Sequence, residues 1–177
     1  MQGKWFAMAF LALTGAAAPQ PRTYVCMASG WAKGIADVRA QPSPRARLLA
    51  RLAPRPAVQN GEDVNGTLPE FEIRGARNGW FLIAGASYGD YGDPAPRRPL
   101  YAGQGWVHGD RIGGQVFPGG LHVAPTERAR SRPYGKETDA VEVRRLLDCR
   151  GQWLQVETDV GTGWVHGLCG NQVTTCS

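Results

Sequence analysis

The string GQGWVHGD at positions 103–110 returns as GTGWVHGL at 161–168, and each copy follows a second Gly/Trp segment, NGWFLIAG at 78–85 and GQWLQVET at 151–158. A chain that writes one short pattern twice is constrained to build one local unit twice. Within each copy the Trp and β-branched residues form short runs bounded by glycine, as two strands of a hairpin do. The reading is therefore all-β, with the glycines at turns.

The first residues stand apart from this pattern. Lys4 precedes an apolar run, Trp5 to Leu13, which gives way to Thr14, Gly15 and the small residues Ala16, Ala17 and Ala18. One basic residue, about ten apolar ones and small side chains for a peptidase pocket make a secretory signal. Pro19 makes a cut directly after Ala18 awkward, so cleavage after Ala17 is expected, with residues 1–17 removed. The alternative, a membrane anchor, needs about 20 apolar residues, and no other segment is apolar enough to cross a bilayer. No cysteine near the cut provides for lipid attachment.

About 160 residues remain, enough for one ordinary domain or two very small ones. All four cysteines, Cys26, Cys149, Cys169 and Cys176, lie in this exported part. An even count in an oxidising compartment argues for two disulfides. Of the three possible pairings, we expect Cys169–Cys176, which closes the short loop CGNQVTTC, and Cys26–Cys149, which clips the N-terminal strand to the second repeat. His166 and Cys169 are three apart, but no C-x-x-C pair or further His completes a tetrahedral zinc set. No metal or other cofactor is expected.

The paired hairpins, with ADVRAQPSP at 36–44, resemble the bacterial SH3 domain. That stretch is similar to the N-V-R-x-x-P-S opening of the family, with Asp37 where Asn is usual. The second copy opens at GLHVAPTERA (120–129), without the Val-Arg pair. The resemblance implies two tandem SH3-like small barrels, at 24–116 and 117–177, the first with a long hairpin-loop insertion. It also implies peptide or cell-wall binding and no catalytic centre. Further strands are expected over Arg45 to Leu52, Phe71 to Arg74, Val141 to Leu147, Trp153 to Val156 and Trp164 to Val165. Whether the repeats are independent barrels or one fused β core stays open; a buried interface carrying Phe117 or the Cys26 segment would favour fusion.

Trp80 to Trp106 spans 26 positions and Trp153 to Trp164 spans 11, so the first repeat carries 15 extra residues, within SYGDYGDPAPRRPLYAG at 87–103. Gly, Pro and Asp set turns, so this segment reads as a projecting loop. It gathers Tyr88, Tyr91, Tyr101, Arg97 and Arg98, a mix that binding surfaces favour, although such a loop also packs on its own barrel. By the resemblance, Trp106 and Trp164 help wall a ligand groove, with Trp80 and Trp153 on the preceding strand. Each of these Trp residues is equally suited to core packing in so small a unit. His108 and His166 recur two residues after Trp106 and Trp164, which points to a structural hydrogen bond rather than to two active sites.

Catalytic patterns are weak. GASYG at 85–89 matches G-x-S-x-G, but the Gly- and Pro-rich segment after it starts no helix. Glu70/Glu72 and Asp90/Asp93 have no apolar pocket to raise a pKa. The protein is read as a non-enzyme. Without Lys4 the chain holds 19 Lys and Arg against 15 Asp and Glu, the basic ones concentrated at 44–56 and 126–136, in equivalent early loops. Such stretches serve as a solvated surface or attract anions outside the cytoplasm, such as peptidoglycan carboxylates. Nucleic acid is not an expected partner, since aromatic residues do not interleave with the basic ones. The expected protein is periplasmic or secreted and binds cell-wall peptide or glycan. The rival is an adaptor, or an inhibitor or immunity protein for a periplasmic enzyme, that inserts the 87–103 loop into a protein partner.

Overall fold

The computed structural model describes residues 23–55, 67–89, 99–117, 119–134, 141–170 and 172. The expected signal segment, 1–17, lies outside them. The strands in chain order are β1 (Tyr24–Ala32), β2 (Ala36–Arg39), β3 (Leu48–Leu52), β4 (Pro69–Arg77), β5 (Trp80–Tyr88), β6 (Tyr101–His108), β7 (Ile112–Gly113), β8 (Gln115–Val116), β9 (Gly119–His122), β10 (Ser131–Tyr134), β11 (Val141–Glu142), β12 (Arg145–Arg150), β13 (Trp153–Thr158) and β14 (Gly161–His166). One 3-10 turn, Gly109–Arg111, is the only helical element among the described residues. The chain is all-β, with a curled, half-barrel sheet.

Strand order repeats where the sequence repeats. The larger sheet runs β3-β2-β6-β5-β4-β1-β7 and the smaller runs β10-β9-β14-β13-β12, so the same five-strand order occurs twice in chain sequence. The agreement extends to single bonds. In the β2–β3 loop, Ala40 N–H donates to Arg47 O and Ala46 N–H to Ser43 O; in the β9–β10 loop, Val123 N–H donates to Arg130 O and Ala129 N–H to Thr126 O. Two-residue turns join β4 to β5 and β12 to β13, pairing Arg77 with Trp80 and Arg150 with Trp153. Asn78 and Gly79 take φ of 52° and 75° in the first of these, the left-handed pair that suits a right-twisted hairpin.

The recurring glycine before each Trp-Val has a packing cause. A Cβ on Gly105 would lie 2.4 Å from Val38 Cγ1, and one on Gly163 would lie 2.8 Å from Leu121 Cβ. The first strand of each unit thus crosses the last at a distance only glycine allows. Val107 and Val165, two positions on, are buried below.

The two sheets share one core. Val38, Leu52, Phe71, Ile73, Phe81, Ile83, Val107 and Ile112 of the larger sheet form a single apolar cluster with Leu121, Tyr134, Leu146, Leu154, Val156 and Val165 of the smaller, and Val116 and Val143 belong to the same cluster. β1 spans the junction. It pairs with β4 and β7 in the larger sheet, while Met27 N–H donates to Gly151 O and Gly151 N–H to Val25 O at the turn of the smaller. The Cys26–Cys149 disulfide, with Cα atoms 5.7 Å apart, locks this junction. It is the pairing expected, it is compatible with an exported protein, and it brings the Cys26 segment into the buried interface. Phe117 does not share that role; it is 49% exposed. Cys169 is also disulfide-bonded, and its expected partner, Cys176, lies outside the described residues.

Several strand limits differ from expectation. The segment Val141 to Leu147 is split: Val141–Glu142 leaves the smaller sheet to pair with Gln115–Val116, and β12 begins only at Arg145, because Val143 turns inward and hydrogen-bonds Gly114 O. Residues 45–47, expected as strand, belong to the β2–β3 loop, and β3 begins at Leu48. β5 and β6 reach further into the 87–103 segment than its Gly and Pro content implies, to Tyr88 and from Tyr101, since Ala86 still pairs with Tyr101.

Candidate functional site

Among the grooves on the described surface, two lie in equivalent places, one per unit. The first, of about 640 Å³, is lined by Ile35, Asp37, Arg39, Pro44, Arg51, Trp80, His108, Asp110 and Arg111. The second, of about 490 Å³, is lined by Leu121, His122, Val123, Arg130, Ser131, Arg132, Gln155, Thr162, Gly163 and Trp164. Each lies beside the loop that follows the unit's first strand.

Charge separates them. In the first groove, cross-strand pairing sets Asp37 of β2 opposite Arg51 of β3. One Asp37 oxygen accepts from Arg51 Nε and the other from Arg39 Nη2, both at 2.8 Å. The Arg51 hydrogen bond, aided by Arg39, holds the Asp37 carboxyl below the usual carboxylate range, and the same bond holds the Arg51 guanidinium above its ordinary value. His108 Nδ1 pairs with Asp110 Oδ1 at 2.7 Å. Two of this groove's arginines and its histidine are therefore engaged internally, and no serine, threonine or cysteine lines it.

In the second groove the registers of β2–β3 and β9–β10 put Gly120 at the Asp37 position, His122 at the Arg39 position and Pro133 at the Arg51 position. No carboxylate lines it. Arg130 and Arg132 are exposed and form no ion pair with a described residue. His122 Nδ1 lies 3.3 Å from Ala129 O, which places the ring proton on Nδ1, because a carbonyl only accepts. Arg39 Nη1 reaches the equivalent carbonyl, Ala46 O, at 2.9 Å. Trp164 is buried to 7% exposure, with the Arg150 guanidinium 5.5 Å from its ring centroid and the same guanidinium 4.7 Å from that of Tyr24.

The structure separates the expected site residues. Trp80 lines the first groove and Trp164 the second, while the half-buried Trp106 lines neither. Trp153 stands between two imidazoles, with ring centroids 5.1 Å from His122 and 5.2 Å from His166 in edge geometry. Trp80 meets His108 the same way at 5.1 Å. What the two histidines share is this ring contact with a cross-strand tryptophan and not the hydrogen bond expected, since among the described residues only His108 has a side-chain partner of that kind, Asp110. Tyr88 donates to Ala53 O and lies under Arg55. Tyr101 donates to Gln104 O. Both loop-flanking hydroxyls are used on the chain itself. Tyr91, Arg97 and Arg98 lie outside the described residues. Sequence reasoning marked the basic stretch 126–136, which contains Arg130 and Arg132, without singling out either residue, and it did not name His122; the available signal for Arg130 was Arg-Ala-Arg, written at 45–47 and again at 128–130.

For other chemistries the described residues offer little. Ser87 of the G-x-S-x-G string lies inside β5 opposite Glu70, on no strand-to-helix turn. No group of three or more metal-ligating side chains occurs among the described residues, and no helix among them is long and apolar enough to cross a membrane. Neither a family model, nor a curated protein, nor a solved structure matches this chain.

Proposed function

We propose that this is an exported, non-enzymatic binding protein of two SH3-like units that holds cell-wall peptide or glycan in the groove of its second unit. The observation that carries the reading is the second groove: an indole wall, Trp164, beside hydrogen-bonding side chains and two arginines without ion pairs. Ligand sites of this kind combine an apolar face with a few polar groups that fix orientation. The repeated five-strand order supports the SH3-like assignment, and the Cys26–Cys149 disulfide supports an oxidising location. Trp80 and the first groove belong to the same reading as a second surface, in which Asp37 already engages two arginines.

The test is retention of the oxidised protein on isolated sacculi, run beside a pull-down from periplasmic extract, each at low and physiological salt. Retention on sacculi at physiological salt is the expected result. Retention lost with salt would reduce the interaction to charge attraction. A stoichiometric protein partner without sacculus binding would replace this reading with the adaptor or inhibitor one.

A further inference from the structure

We infer that the second groove is a carboxylate-reading site, in which Arg130 and Arg132 bind the acidic end of an extended peptide whose small apolar residue lies against Trp164. The inference rests on the wall-binding reading for its source of peptide, but the site is argued from its own chemistry.

The cations are available. Arg130 and Arg132 are exposed on the β9–β10 hairpin, and no described carboxylate engages either. Of the acidic residues on the adjoining strands, Glu157 of β13 is ion-paired with Arg145 at 2.6 Å and Asp148 of β12 accepts from the Cys149 N–H at 2.8 Å, and neither reaches Arg130 or Arg132. The first unit shows the alternative at neighbouring positions: there Asp37 holds two groove arginines, Arg39 and Arg51, which stand where the second unit has His122 and Pro133. Arg132 is also positioned: a Cβ on Gly161 would fall 1.9 Å from its Nη2, so the guanidinium lies across the backbone of β14 at the groove's edge.

The rest of the groove selects a peptide over a bare anion. Ser131, Gln155 and Thr162 present neutral donors and acceptors suited to amides, while exposed Val123 and the edges of the buried Leu121 and Trp164 present apolar surface. A phosphate would use the arginines and leave these groups idle. Arginine binds carboxylates through paired, charge-assisted hydrogen bonds, so removing the anion removes the largest polar contribution to binding.

The experiment titrates the oxidised full chain with acetyl-alanyl-alanine, with its C-terminal amide and with inorganic phosphate, following the Trp164 indole N–H resonance. The free acid is expected to bind about tenfold more tightly than the amide, in line with a hydrogen bond to a charged group. Arg130→Gln and Arg132→Gln should each remove most of that preference. Arg47→Gln, at the position equivalent to Arg130, should leave it intact, and both lost and retained effects are read on protein whose thermal transition is unchanged. Equal binding of acid and amide overturns the inference. So does a phosphate response as strong as that to the acid, or an Arg47→Gln loss as large as that of Arg130→Gln. Sacculus retention without acid preference would remove this inference and leave the wall-binding reading; acid preference without sacculus retention would do the reverse.

Discussion

The two units of this protein agree in backbone and part company in charge. Both cross their first and last strands at a glycine, Gly105 and Gly163, both pair a tryptophan with a histidine across β5–β6 or β13–β14, and both close their early loop with equivalent hydrogen bonds. Yet Asp37 ties down Arg39 and Arg51 in the first unit, where the second has Gly120, His122 and Pro133. Positions that set strand crossing and turn geometry have little latitude. Outward positions on the same strands are free to diverge, and here they leave one groove with carboxylates that engage two of its three arginines and the other with arginines and no carboxylate.

The comparison breaks most sharply at the junction. Replacing Cys26 and Cys149 by serine releases a bridge spanning 123 residues and should cost about 2–5 kcal/mol. Because the core is continuous, the serine variant should still unfold in one transition, which calorimetry would check; two separate transitions would show the units to be independent. Next in size is an equivalent pair of glycines. A Cβ on Gly109 would lie 2.0 Å from Leu146 O of the other sheet, whereas one on Gly167 (φ +81°) meets nothing within 4 Å. Gly109→Ala should cost about 3 kcal/mol by overpacking, and Gly167→Ala about 1 kcal/mol for its left-handed backbone. Denaturant titration of the two variants would invert the account if Gly167→Ala were the costlier.

A smaller effect separates Tyr134 from its first-unit counterpart, Leu52. Burial raises the Tyr134 hydroxyl from 10.0 to about 12, and it donates to Phe117 O. Since the folded value is raised, this contribution is complete below the unfolded value of 10.0 and is lost as pH rises through about 12. Tyr134→Phe, which removes the hydrogen bond to Phe117 O, should be less stable by about 1 kcal/mol at neutral pH. Denaturant curves for the two proteins should converge as pH passes the upper value; a gap that stays constant would remove the tyrosine from the explanation. The smallest effect on stability is expected from Asp37→Asn, an exposed ion-pair change. With the folded carboxyl value lowered, the stabilisation is present above the ordinary 3.8 and disappears as pH falls through the lowered value. Its use is functional: freeing Arg39 and Arg51 should give the first groove an affinity for acetate that nuclear magnetic resonance would detect, and that the wild-type groove lacks.

Much of this arrangement was legible in the residues. Gly/Trp periodicity located both hairpins, the Arg-rich early loops were equivalent as read, and the Cys26–Cys149 clasp followed from where a short-loop bridge left the other two cysteines. What escaped depends on partners distant in the chain. Nothing local to Tyr24–Ala32 says that it lies between β4 and β7, and nothing in VEVRRLLD says that Val141–Glu142 pairs with Gln115–Val116 instead of continuing into β12. The candidate site escaped for the same reason. All the arginines at 44–56 and 126–136 look alike as a string; only strand register puts Asp37 beside Arg51 and leaves Arg130 and Arg132 without such a partner.

The most direct measurement is sacculus retention, at physiological salt, of two matched double variants of the oxidised protein: Arg130→Gln with Arg132→Gln, and Arg39→Gln with Arg51→Gln. The account predicts that the first pair loses retention while the second keeps it. Equal loss in both, or full retention in both, would contradict the claim that binding resides in the second groove and depends on its unneutralised charge.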